Sequence, residues 1–377
     1  MSIKINADDI APIALGGAFL ATGGGGDTLL GEILAEDAVS KAQSVELIAL
    51  EDVPDDGVVV AIGGVGSPTI MQEKPSNGQE AGWALDALET FLGKKITALI
   101  AFEAGGMNAL VPFCAAAERG LPVVDADGMG RAFPELQMES FSIYGVSATP
   151  LALSAELGDS MILDKVSSPV LAETLVRHFA VKAGGGQCIS AEHVMDGATA
   201  RKVCIPATIS LCRDIGVMLG EHANDLDAFM RALSVRLAPT HYGDVSPIAE
   251  AKVVDITREI RDGYDYGTAK LATLDGENRI LTVLIKNEYL VVLDGDRPIA
   301  TTPDLICMLD KETGRPLTAE TLRYGQRLLL LAIGAPELMR TPTALKVVSP
   351  RNFGFDMEYL PIETALASGL LPGISNG

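Results

Sequence analysis

The sequence predicts an α/β protein, with a mostly parallel sheet in its first half and a β-rich second half. Three observations predict this. Short, continuously apolar runs alternate with helix-spaced segments over the first 150 residues, as expected of strands covered on both faces and joined by helices. Glycine-bearing turns recur directly after those apolar runs. From about residue 250 the apolar runs crowd together, separated by signals such as DGENR and DGDRP, which suit antiparallel hairpins.

Taken in order, residues 8–21 (DDIAPIALGGAFLA) have helical spacing, with Asp8 or Asp9 available as a cap. Four consecutive glycines follow, and Asp27 or Thr28 can cap a second helix over LLGEILAEDA. Strands are expected at 45–50, 57–64, 96–102 and 121–127, and helices at 79–93 and 107–119. Three of the strands run into GGVGSP, EAGGMN and DADGMG. Turns at the C-terminal ends of parallel strands form the edge at which open α/β sheets bind ligands. The character changes near 160–170, which divides the chain into an α/β domain (1–165) and a mixed, β-rich domain (166–377). Helices are expected at 169–182, 208–221 and 225–235. Strands are expected over AKVVDITREI, YGTAKLATL, RILTVLIKN, EYLVVLDGD and RPIATTPDLICML, with two more strand-like runs in the tail.

Composition narrows the function. Hydrophobic residues make up 48% of the 377, enough for a sizeable core, while a net charge of −21 repels phosphate backbones and argues against nucleic acid. The five cysteines lack any CxxC pairing, as free thiols in a reducing compartment would. The first residues do not have the layout of a signal peptide, and no apolar run is long enough to span a bilayer. A cytoplasmic protein without membrane partners is the expectation.

Several clusters carry candidate chemistry. In TGGGGDT, residues Thr22, Gly23, Gly24, Gly25, Gly26 and Asp27 offer backbone N–H groups to an anion or a polar ring at a helix start. A tight helix–helix turn accounts for the same glycines. The segment lacks the Lys-Ser/Thr ending of a phosphate-binding loop, so no nucleotide is expected. Gly66 joins these as a substrate contact. Glu103 follows a buried strand, and Asn108 opens a helix; a carboxylate there can act as a general base or a metal ligand, or simply bond the Gly105–Gly106 turn. Asp125 and Asp127 share one face of an extended strand, and Arg131 close behind can neutralise one of them or clamp a substrate carboxylate or carbonyl. They can hold a cation or divide acid and base roles, or they can be a salt-bridged turn. The four histidines are scattered and read as surface or packing residues, with His193 following Glu192 and lying five residues after Cys188.

The blocks ATGGGGD, EAGGMNALVP, GLPVVDADGMGRAFPELQM, LRYGQRLLLLAIGAPELMRTP and VVSPRNFGFDMEYLP, in that order, resemble the S-methyl-thiohydantoin desulfurase-like family over residues 8–362. The family is often found beside hydantoinase/oxoprolinase-type enzymes. The resemblance implies an α/β N-terminal domain followed by a swivelling-type C-terminal domain. It also implies hydrolysis of a small cyclic nitrogen compound, a hydantoin-like ring or an S-methyl-thiohydantoin losing its methylthio group. That chemistry needs activated water and a donor to the leaving sulfur. Glu103, Asp125, Asp127 and Arg131 are of the right kinds for catalysis, and Asn108 and the glycine amides for holding the ring. A divalent metal, zinc before others, is carried as an expectation with no motif fixing its ligands. A homo-oligomer is expected, and Asp304 and Glu288 are the residues expected to close over the crevice. The alternative reading is a non-catalytic partner subunit of a hydantoinase/oxoprolinase-type enzyme.

Overall fold

The computed structural model describes residues 2–66, 74, 76–261, 264–277 and 279–372. The first sheet is parallel through its four central strands, Val45–Ile48, Val123–Asp127, Ala98–Ala101 and Val59–Gly66. Their apolar runs are buried, and the helix Val111–Arg119 packs against all four of them. Antiparallel strands extend both flanks: Ile3–Ile5 on one side, then Gln187–Met195, Leu151–Ser154 and Ser160–Leu163 on the other. Because Gln187–Met195 lies directly against Val59–Gly66, the first sheet draws strands from both halves of the chain.

The second sheet has seven antiparallel strands, ordered Arg297–Thr301, Glu288–Asp294, Ile280–Lys286, Tyr264–Thr273, Val245–Arg261, Arg327–Ile333 and Leu305–Asp310. It curls into a half-barrel, so that Glu288–Asp294 also packs on Leu305–Asp310. Two expectations change here. RPIATTPDLICML is two strands, Arg297–Thr301 and Leu305–Asp310, at opposite ends of the sheet order. Pro303 cannot donate to a ladder, and the chain turns there to cross the curl. Only one strand-like run of the tail is a strand, Arg327–Ile333. The ALKVV run lies in the helix Pro342–Val348, whose start is fixed by Thr341 accepting from Ala344 N at 3.1 Å and by a proline in its first turn.

The halves interlock through helices as well. Ala7–Leu20 packs along Thr208–Glu221 at a crossing where a Cβ on Gly16 would come within 1.8 Å of Cys212 O. Only glycine permits that approach. Ser67 and Pro68 of the GGVGSP turn lie outside the described residues.

Candidate active site

The C-terminal ends of Val59–Gly66, Ala98–Ala101 and Val123–Asp127 deliver their turns to one edge. There they enclose a cavity of about 60 Å³, lined among others by Gly25, Gly26, Gly64, Gly66, Glu103, Asn108, Glu139, Glu192 and Glu288.

Glu103 is the best-supported carboxylate at this edge. Asn108 Nδ2 donates to its Oε1 at 2.8 Å, and Phe133 N donates to its Oε2 at 3.1 Å. Asn108 is itself oriented by Gly64 N, which donates to its Oδ1 at 2.7 Å. Burial pushes the Glu103 carboxyl up to about 8, and the bonds from Asn108 and Phe133 only partly offset this. Such a group changes protonation in the range a general base needs.

The other expected residues do different work. Asp127 Oδ2 accepts from Ala104 N (2.7 Å), Gly130 N (2.7 Å) and Met129 N (3.2 Å), and so builds the turn beneath the cavity without lining it. Burial pushes it up to about 7 against these N–H groups. Asp125 accepts from Ser210 N at 2.9 Å, in the first turn of Thr208–Glu221. The two aspartates are bound by different backbone segments and do not meet at the cavity.

Arg131 corrects the expectation of a substrate clamp. Its guanidinium is fully buried, and its donors are spent on the protein. Nε donates to Ala132 O (3.0 Å), Nη1 to Asp304 O (2.8 Å) and Pro303 O (3.4 Å), and Nη2 to Thr22 Oγ1 (2.6 Å) and Tyr289 O (3.0 Å). Arg131 pins the first sheet to the second.

The glycine run is bare because other chain segments lie against it. A Cβ on Gly23 would be 2.7 Å from the Tyr289 ring, one on Gly24 2.1 Å from Glu288 Oε1, and one on Gly25 2.7 Å from the Gly105 carbonyl. Tyr289 N donates to Thr22 O at 2.7 Å, and Ala319 N to Gly23 O at 2.9 Å. The run is therefore a seam between the halves, and only Gly25 and Gly26 of it reach the cavity. Asp27 caps the helix Thr28–Ala42 by accepting from Leu30 N at 2.9 Å.

Of the two expected closing residues, Asp304 lies away from the cavity lining and ties down the tail, accepting from Ala335 N (2.8 Å), Tyr359 Oη (2.8 Å) and Ile362 N (2.9 Å). Glu288 does reach the cavity. It is buried, and its Oε2 has no hydrogen-bond partner. Burial, with the Glu103 charge adding to it, raises its carboxyl well above the usual range.

Sequence reasoning missed one group. Glu139, Glu192 and His193 place one carboxylate or imidazole atom each within 4.8 Å of the others. His193 Nδ1 lies 3.1 Å from Glu139 Oε2 and 3.2 Å from Glu192 Oε1, while Ser142 Oγ is 2.9 Å from its Nε2. Burial disfavours the imidazolium, but the two carboxylates outweigh it and push His193 up to about 9. The adjacent Glu-His pair was the available signal; Glu139, on a distant segment, gave none.

A small, partly open cavity with several buried carboxylates lies at the strand-end edge of the sheet, the edge at which open α/β sheets bind small molecules. The chain belongs to the S-Me-THD-like family: the model of the N-terminal domain matches residues 8–165, and that of the C-terminal domain matches residues 167–362. Its fold is shared with the crystal structure of a protein from Chromobacterium violaceum, with a TM-score of 0.79 and 23% identity over 96% of this chain and 100% of that one. No curated protein matches the chain. Among the described residues, no helix is long and apolar enough to cross a membrane.

Proposed function

We propose that the protein hydrolyses a small cyclic nitrogen compound, a hydantoin-like or S-methyl-thiohydantoin-like ring, at the cavity around Glu103. The carrying observation is a buried carboxyl, pushed up to about 8, held in place by Asn108 and lining the cavity. Membership of the S-Me-THD-like family supports the class of ring.

For an S-methyl-thiohydantoin the balance is simple. Ionised Glu103 takes a proton from water as its oxygen bonds to the ring carbon that carries sulfur. The C=N electron pair moves onto the ring nitrogen, which takes up the remaining hydroxyl proton. The ring carbonyl forms as the carbon–sulfur bond breaks with its electron pair leaving on sulfur. The departing sulfur takes a proton from Glu288, whose carboxyl is kept neutral by burial, and methanethiol is released. A divalent cation, zinc in the first instance, would supply further activation of the water.

The cavity of about 60 Å³ is small for a ring, so admitting one requires it to widen. Parting Glu288 from Gly24, by a swivel of the antiparallel sheet, is the opening we propose. The test is turnover of S-methyl-thiohydantoin and hydantoin rings in isotopically labelled water, with released thiol and product mass both followed. Thiol release with labelled oxygen in the ring is the expected result; unaltered rings of both kinds would overturn the reading.

A further inference from the structure

We propose that Glu139, Glu192 and His193 form a binding site for one divalent transition-metal ion at the wall of the cavity. The inference deepens the hydrolytic reading and rests on it only for a role in turnover, because cation binding is measured without substrate.

The backbone is bent to build the group. Neighbouring residues of a strand point to opposite faces, yet Glu192 and His193 both approach Glu139. His193 achieves this with φ +47°, a left-handed conformation uncommon outside glycine. The pairing with Val59–Gly66 gains an extra residue at the same place, since Val59 pairs with Met195 and Ala61 with Glu192. Bulges of this kind re-aim side chains beside functional sites, and strain of this kind persists where the surroundings demand it.

What the bend brings together is satisfied only within the group. Glu139 Oε2 and Glu192 Oε1 are buried, and the one polar atom beside both is His193 Nδ1, at 3.1 Å and 3.2 Å, with no well-aligned hydrogen bond from any other residue. Buried polar atoms are ordinarily bonded, so two carboxylate oxygens and one imidazole nitrogen that converge and depend on a single shared proton are a donor set that one cation would satisfy in its place. The spacing agrees. Ligand atoms about 2.0 Å from a tetrahedral zinc lie about 3.3 Å from one another; the two separations from His193 Nδ1 are 3.1 Å and 3.2 Å, and the two carboxylates place an oxygen each within 4.8 Å of one another.

The surrounding groups are those that orient ligands. Ser142 Oγ sits on the far nitrogen of His193 at 2.9 Å, and Ser190 Oγ donates to Glu192 Oε2, the oxygen not facing His193. Partners of this kind fix the ring and the carboxylate in metal centres. One imidazole and two carboxylates suit zinc, manganese, iron or cobalt rather than a thiophilic ion. Glu139 and Glu192 line the cavity, so a position left open on the ion would face a bound ring.

The full-length protein, stripped with chelator and returned to chelator-free buffer, should take up one Zn²⁺ per chain in a calorimetric titration. Glu139→Gln and Glu192→Gln keep the side-chain shape, and each should abolish or weaken uptake by at least 100-fold. Ser142→Ala should weaken it by roughly 10- to 100-fold. Co²⁺ in place of Zn²⁺ should give a visible spectrum with nitrogen and oxygen ligands and no thiolate band. No uptake of Zn²⁺, Mn²⁺ or Co²⁺ by a folded protein would overturn the site and identify the group as an imidazolium held by two carboxylates. Uptake unchanged in both glutamine variants would overturn it equally. Neither result bears on whether Glu103 turns over a ring.

Discussion

Oε1 of Glu288 stands 2.1 Å from where a Cβ on Gly24 would be. The glycine run of the first half and a carboxylate from the hairpin turn of the second therefore occupy one shared space. Glu288 is held there by its turn: Asn287 N donates to Asp265 O at 2.7 Å, and Asp265 N donates back to Asn287 Oδ1 at 2.8 Å.

The first prediction separates two neighbouring glycines. In Gly24→Ala the obstacle is the buried Glu288 side chain, with Oε1 at 2.1 Å, Cδ at 2.7 Å and Cγ at 2.8 Å. It can rotate away where backbone cannot, so stability should fall by about 1–2 kcal/mol, within the lower range for overpacking. Turnover should fall with it as Glu288 leaves the cavity. In Gly25→Ala the obstacle is the Gly105 backbone at 2.7 Å, and φ is +81°, so the loss should reach about 3 kcal/mol or more. Urea midpoints of the two variants check this, and equal midpoints would contradict the packing described.

Arg131 should prove structural. Arg131→Met leaves buried acceptors at Thr22, Tyr289 and Asp304 without their donor, and each unsatisfied group costs about 1–3 kcal/mol. A stability loss of at least about 3 kcal/mol is expected by denaturant titration. A raised KM in a variant with unchanged stability would restore the substrate clamp instead.

Asp127 should separate from Glu103 in the same way. Asp127→Asn weakens bonds from Ala104, Met129 and Gly130, so stability should drop by about 1–3 kcal/mol. The kcat of the folded fraction should fall far less than in Glu103→Gln. A kcat loss of about 100-fold without lost stability would make Asp127 part of the chemistry.

The pH dependence follows from Glu103. Its carboxyl is at about 8 in the folded protein against an ordinary 4.5, so between these values the folded chain keeps a proton that the unfolded chain has released. The contribution of Glu103 to stability is full below about 4.5 and is lost as pH rises through about 8. Activity has the opposite sign, because the base must be ionised: kcat/KM should rise through about pH 8. Glu103→Gln should flatten that limb and hold more of its stability in alkali than the wild type. Rates and urea midpoints across the range measure both.

Much of this fold was legible in the sequence because continuous apolar runs such as VVAI and ALIA fit only strands covered on both faces. The strand-end edge followed from the turns after them, and Glu103 with Asn108 was found by position on that edge. What stayed hidden depended on contacts between distant segments. Gly23 to Gly25 read as bare backbone for a ligand because Tyr289, Glu288 and Gly105, which fill the space beside them, come from elsewhere. Arg131 read as a clamp because its acceptors at 289 and 303–304 lie far along the chain. His193 read as packing because its alliance with Glu192 requires a bulge and a positive φ, which no spacing rule announces.

Glu103 is the group proposed to activate water. The most direct test compares steady-state thiol release from S-methyl-thiohydantoin by the wild type and Glu103→Gln, with folding verified by a cooperative urea transition whose midpoint near neutral pH is no lower than that of the wild type. A kcat loss of at least about 100-fold, the low end for a general base, is expected, with KM little changed. Turnover by Glu103→Gln at the wild-type rate would contradict that role and move the chemistry to another wall of the cavity.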